Sequence, residues 1–438
     1  MKDFRNRSEL CALIACLAVF VLCCGSIEPL ASTLAVPPSR QPNPDVSKGL
    51  QLLGEGKLQE ADALFQKAIE GDPGQLHAAL ARAQIALTQH QLDKADQMVS
   101  SVLKNEDTLP EAHNMKGVVL MLRKNNEGAR HEFMRAIELQ PLYVTPRLYL
   151  AAISLTSGNY SRAADDYKSL IKVAPKMPTG YLGEAESLTM MHREADALGV
   201  LEAWKAADPN TLTPYRVLAS VYISDHKPQE AIHQLQAALA KAPKDSASLA
   251  DLGAAYASSG DIRSATAQYQ AALAANGANT EAALGLGILE AGSGQTDPAL
   301  AHFRTVLQAD PNNAVACNDI AWILAEQGKD LDEALRLSER AVKLRPKYAD
   351  AYDTLGWVHY HRGEYVPAVT ALKQAKALAP TSTDVAAHLG LAYAKTGQKH
   401  EALSELHRAL DSGSKISNRP ELEQLAAQLS AQSPGVVR

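Results

Sequence analysis

Cysteine is almost missing from the body of this 438-residue chain. Cys11, Cys16, Cys23 and Cys24 fall in the first 24 residues, which leaves Cys317 alone in the remainder. One thiol closes no internal disulfide, and without a CxxC pair there is no cysteine frame for zinc. Cys317 is expected to pack as a small apolar side chain in a helix. A basic stripe is missing too: 43 Lys and Arg against 49 Asp and Glu, spread along the chain, give a net charge of −6. Phosphate neutralisation needs clustered positive charge, so nucleic acid is excluded as an expected partner. Catalytic motifs are absent as well. Gly49 to Gly54 has P-loop spacing but puts Glu55 where the lysine must stand. Gly285-Leu286-Gly287 has Glu290 in place of its third glycine, no HExxH occurs, and no serine or cysteine sits in a nucleophile motif. His400 and His407, seven apart on an expected helix, read as surface histidines. The chain is therefore expected to have no catalytic residues, no cofactor and no metal.

The one long apolar run, Leu10 to Cys24, follows Lys2, Arg5 and Arg7. At 15 residues it is shorter than the roughly 20 that span a bilayer as a helix. Gly25, Pro29 and the small-x-small triplet Thr33-Leu34-Ala35 follow, which reads as a secretory signal over residues 1–35. Two alternatives stay open. Cys24, before Gly25 and Ser26, is a candidate lipid-attachment residue, although Val21-Leu22-Cys23 matches a lipobox poorly and Cys16 has too short an apolar stretch ahead of it. The other is a short uncleaved anchor. The membrane is expected to be touched only through this segment, and the expected location is the periplasm or cell envelope. Residues 36–44 carry four prolines and read as an extended linker.

What the chain has in abundance is alanine in register. Ala61, Ala95, Ala129, Ala163, Ala197, Ala231, Ala265 and Ala299 lie 34 residues apart; one added residue near 329–331 precedes Ala334, Ala368 and Ala402. Glycine or alanine stands twelve residues before each but Ala334, where the added residue makes it thirteen (Ala321), and proline twelve after most, from Pro73 and Pro141 to Pro380. With 100° per residue, unit positions 4, 7, 8 and 11 share one helix face, where the large apolar residues and the small Gly or Ala fall. Gly158, Gly260, Gly294, Gly363 and Gly397 suit the left-handed turn that ends a first helix. The prolines stop the second helix. No unit can bury its face alone, so stability comes from stacking neighbours.

These units resemble the tetratricopeptide repeat. Repeat six carries Tyr215, Leu218, Ala219, Tyr222, Ala231, Leu235, Ala238 and Pro243, and repeat three Gly117, Leu120, Ala129, Phe133, Ala136 and Pro141. The resemblance implies an all-α, right-handed superhelical solenoid of about eleven helix-turn-helix units over residues 42–413. Residues 414–438 would supply a polar loop, a capping helix from Pro420 with Leu422, Leu425 and Leu429 on one face, and a tail. Units two and five depart from the pattern at Arg82, Asp107, Glu184 and Trp204, where looser stacking or a bend is expected.

Function is expected in the groove, which unit positions 2, 5, 9, 12 and 13 line. These are mostly small or apolar, as at Leu148, Ala152, Ala250 and Ala254. Repeats nine to eleven differ: they bring Asn318, Trp322, Asp353 and Trp357, with Asp319, Thr354 and His388 at position 6, and Tyr360 and His361 further along. Rings beside polar groups suit a protein or peptide groove, and equally an internal polar network that fixes repeat register. The Lys/Asn/Arg set that clamps a terminal carboxylate does not assemble. Over residues 314–413, Asn318-Asp319-Ile320-Ala321-Trp322, Asp353-Thr354-Leu355-Gly356-Trp357 and His388-Leu389-Gly390 resemble exported bacterial repeat proteins of exosortase and extracellular-polysaccharide systems. The sequence departs from them at Asp319, where a second Asn is usual. That resemblance implies an alternative function as an accessory subunit of polysaccharide synthesis or export machinery.

Overall fold

The computed structural model describes residues 43–72, 74–412 and 419–431. The signal segment, Cys24, most of the linker, most of the polar loop and the terminal tail lie outside the described residues. Among those described there are 23 α-helices. Eleven pairs run from Pro44–Gly54 (α1) and Leu58–Gly71 (α2) to Thr383–Lys395 (α21) and Lys399–Leu410 (α22), followed by a single helix, Arg419–Ala431 (α23). The chain divides into two compact units, Met1–Asp225 and His226–Arg438. Unit one holds α1 to α11 (Thr213–Ser224), and unit two holds α12 (Pro228–Lys241) to α23.

Each pair that lies within one unit closes on its register alanine. Ala61, Ala95, Ala129, Ala163, Ala265, Ala299, Ala334, Ala368 and Ala402 are fully buried. Four residues on, Phe65, Phe133, Tyr269 or Phe303 lies against the small residue of the partner helix. The fit leaves no room for a side chain: a Cβ added at Gly117 would sit 2.5 Å from a carbon of Phe133. Burying such a ring contributes about 1.5–3 kcal/mol, which no isolated helix of this length could supply from its backbone. Short polar residues start many helices. Asn125, Asn159, Asp245, Asp261, Asn279 and Asn313 each accept a hydrogen bond from the backbone N–H three residues on.

The turn inside each pair is left-handed at one position. Gly158, Gly260, Gly294, Gly363 and Gly397 take positive φ there, as the glycine pattern predicts, and Gly56 does so too. His90, Lys124, His192 and His226 take the same conformation at the equivalent places, with φ of 56–62°. In repeat nine the added residue makes two such positions, Gly328 and Asp330.

The departures at Arg82 and Glu184 do not open the stack. Arg82, on Leu76–Thr88 (α3), reaches back to Asp62 on α2, with Nε 2.7 Å from Oδ1. Lys116, at the same unit position on Pro110–Leu122 (α5), bonds Asp96 and Ser100 of Leu92–Asn105 (α4). Burial raises the carboxyl of Glu184 on Pro178–Met190 (α9), with the Lys168 charge from Tyr160–Val173 (α8) opposing and Asp165 adding. At Arg82 and Lys116, charged pairs stand where leucine packs elsewhere. Trp204 on Glu194–Ala207 (α10) is buried and stacks on Tyr181, centroids 5.8 Å apart and planes 10° from parallel. It fills the space beside the residues of α9 instead of loosening it.

At the far end Leu422 and Leu429 of α23 are buried among Leu403, Leu406 and Leu410 of α22, with Leu425 partly buried beside them. The expected cap is in place. Cys317, on Ala314–Gln327 (α17), is fully buried against Ala341 and Ala351, and burial pushes its thiol up. It is a packing residue.

Candidate functional site

Within unit two, successive first helices adjoin one another: α17, Ala349–His361 (α19) and α21 form one such face. Unit positions 5, 9, 12 and 13 fall on this inner face. The helical repeat therefore brings Trp322 of α17, Trp357, Tyr360 and His361 of α19, and His388 of α21 together, although 66 residues separate the first from the last.

Trp357 is the hub. Its ring stacks on His388 at 4.2 Å and on Tyr360 at 4.9 Å, meets His361 edge-on at 4.7 Å, and lies 6.4 Å from Trp322. Its indole N–H donates to Glu326 Oε1 at 2.5 Å. Trp322 also lies 5.6 Å from His388, and Tyr365 meets the far side of Tyr360 at 5.5 Å. Trp357 itself is buried, Trp322 and Tyr360 are half-buried, and His361 is exposed. The surface available to a partner is therefore Trp322, Tyr360 and His361, resting on Trp357.

Beneath the rings lies an ion pair. His388 Nδ1 is 2.9 Å from Asp353 Oδ1 and 3.1 Å from Oδ2, linking α21 to α19, and both residues are buried. Burial alone would lower the His388 pKa. The Asp353 carboxylate, with smaller help from Asp384 and Glu326, outweighs it and holds the imidazole above its ordinary value. His361 goes the other way, lowered by its partial burial despite Glu326 and further by His388.

The position-6 residues do not form one chain of bonds. His388 pairs with Asp353, at position 5 of the preceding unit, because the stagger of neighbouring helices sets position 6 of one unit against position 5 of the last. Thr354 is buried in α19 beside that pair. Asp319 accepts from its own neighbour, Asn318 Nδ2, at 3.1 Å. Burial pushes its carboxyl up to about 7, Asn318 opposing and the Asp350 charge adding. Asn318 is buried, and its Oδ1 has no hydrogen-bond partner.

The sequence reading missed Glu326 and Tyr365. Glu326 occupies unit position 13, already among the groove-lining positions, and lies one helical turn beyond Trp322; that was the available signal. Tyr365 starts a second helix, Tyr365–Leu378 (α20), and no inner-face pattern marks it.

The face thus brings together rings, a buried ion pair and carboxylates on a stack of 34-residue helix pairs. Family models described as tetratricopeptide repeat match residues 52–118 and, in three windows, 216–262, 251–314 and 318–383. The chain belongs to the tetratricopeptide-repeat family. Over 94 residues it is 34% identical to the peroxisomal targeting signal receptor of Kluyveromyces lactis, covering 22% of this chain and 17% of that protein. Over 79 residues it is 37% identical to a TPR repeat-containing protein of Pseudomonas aeruginosa, covering 18% of this chain and 13% of that one. The chain thus spans less than a fifth of either relative. Among solved structures it is similar to the APC/C hetero-tetramer Cut9-Hcn1, at 12% identity and a TM-score of 0.45, over 87% of this chain and 95% of that one.

Proposed function

We propose that the chain is an exported scaffold that holds a peptide or protein segment against the inner face of repeats nine to eleven. The observation that supports it is the ring surface of Trp322, Tyr360 and His361, left partly open over a buried Asp353–His388 pair that keeps its base rigid. Rings held in place by packing and an ion pair present contact area without an ordering cost at binding. Asn318, Asp319, Asp353, Thr354, Trp357 and His388 act in this reading as the frame. Repeats of this family serve as protein-interaction scaffolds, and a targeting-signal receptor among the relatives is in keeping with peptide recognition here. Export rests on the apolar run Leu10 to Cys24 behind Lys2, Arg5 and Arg7, within the signal segment 1–35.

The test is affinity capture by the full chain from envelope extracts, comparing wild type with Trp322→Ala and His361→Ala after helical content has been matched. Loss of one specific partner from both variants is the expected result. An unchanged partner set would remove this face as the binding site.

The motif Asn318-Asp319-x-x-Trp322 with Asp353 to Trp357 favours a second reading, an accessory role in an extracellular-polysaccharide system. Genes for glycosyltransferases or export components beside this one are its expected companions, and a neighbourhood without them would count against it.

A further inference from the structure

Resting on that proposed binding face, we infer that the segment it holds is basic, and that an arginine or lysine side chain of the partner peptide lies over the rings of Trp322 and Tyr360. The inner-face positions of repeats eight to eleven carry Glu281, Glu326, Asp350, Asp353 and Asp384 against a single lysine, Lys395. Asp353 is neutralised internally by His388, and Glu281, Glu326 and Asp384 still outnumber the single ammonium of Lys395. Unit one is different. Its inner-face positions hold Glu111 and Glu186 against Arg216, among mostly apolar and small residues.

One further observation agrees in sign. Aromatic faces attract cations, and here they are flanked by the Glu326 carboxylate that grips Trp357. His361 also borders an open depression of about 640 Å³ whose wall carries Asp330, Asp332 and Glu333 together with Arg336 and Arg362, so it is close to balanced in charge and neither attracts nor repels a basic segment. Asp332 is paired with Arg362, and Glu333 lies 3.6 Å from Arg304. Asp330 stands at the turn between α17 and Leu331–Leu344 (α18), exposed beside them. An acidic peptide would meet this field as repulsion, whereas a guanidinium finds both a ring to stack on and carboxylates to bond.

The experiment selects a random dodecapeptide library on the full chain, then measures the enriched peptides by fluorescence anisotropy against wild type, Trp322→Ala and Glu326→Gln. The amide oxygen that Glu326→Gln introduces can still accept from the Trp357 indole. That substitution therefore removes charge without removing the bond, and it covers the case in which Trp322→Ala fails to fold. We expect arginine- and lysine-rich peptides whose affinity falls about tenfold in Trp322→Ala and about three- to tenfold in Glu326→Gln, and weakens as salt rises. Enriched peptides that are acidic or uncharged but depend on Trp322 would overturn the basic partner and leave the binding face standing. Peptides indifferent to both substitutions would overturn the two together, and an empty selection would overturn the inference.

Discussion

Glu186 illustrates what a repeat tolerates at a single residue. It occupies the inner-face position that Trp322 and Trp357 take in unit two, yet it is buried, Oε2 has no partner, and burial pushes its carboxyl up to about 7. The folded value exceeds the ordinary 4.5, so the native state holds the proton more tightly than the unfolded chain. Stability is then greatest below about 4.5 and falls as pH rises to about 7, by on the order of 3 kcal/mol. Glu186→Gln should raise the melting temperature at pH 8, change it little at pH 4, and flatten the profile between; equal effects at both pH values would contradict this. His388 lies on the other side of the same logic. Its raised value makes the ion pair fully stabilising below about 6.5 and lost as pH climbs through the folded value. Asp353→Asn should cost unit two about 3 kcal/mol at pH 6 and progressively less above it, read by chemical denaturation at both pH values.

At the scale of an element, the turn within each pair shows where sequence pattern and backbone geometry part. The glycines at Gly158 or Gly363 announce their left-handed conformation in their letters, because a residue without Cβ adopts it freely. His90, Lys124 and His192 announce nothing, and the stacked pair imposes the same geometry on them at a cost of about 1 kcal/mol each. Replacing any one of the three by glycine should stabilise unit one by roughly that amount, less the added freedom of the unfolded chain. A destabilisation beyond about 1 kcal/mol would mean the side chain contributes packing that outweighs its strain. The opposite experiment is Gly117→Val: with Phe133 already in the space a Cβ needs, it should destabilise by about 1–3 kcal/mol in a denaturant titration. Arg82 and Lys116 carry a related lesson. Charge at a leucine position reads as a defect in one dimension, but the preceding second helix supplies Asp62 and Asp96, 20 residues back in both cases.

For the molecule as a whole, the helix pairs, the cap and the burial of Cys317 were legible because each is a local rule repeated: a register alanine, a small residue twelve before it, a proline twelve after. The candidate face was legible in membership and less so in wiring. Trp322, Trp357 and His388 share a face by helical periodicity alone, so their meeting follows from the 34-residue spacing. Which partner His388 chooses depends on the stagger between helices, and that is a property of packing. Hence Asp353 and not Thr354 or Asp319 receives it. The grip of Glu326 on Trp357 crosses 31 residues and needs both side-chain directions. The division of the chain between Asp225 and His226 falls inside a unit whose letters follow the repeat pattern closely.

The central claim, that the inner face of repeats nine to eleven is where a partner is held, is tested most directly by a photo-crosslinking amino acid placed at exposed His361 and, as a control, at Leu142, which is 74% exposed in unit one. The account predicts a discrete covalent adduct from position 361 in whole cells, lost on adding Trp322→Ala, and none from position 142. Adducts from position 142 with none from 361 would contradict it.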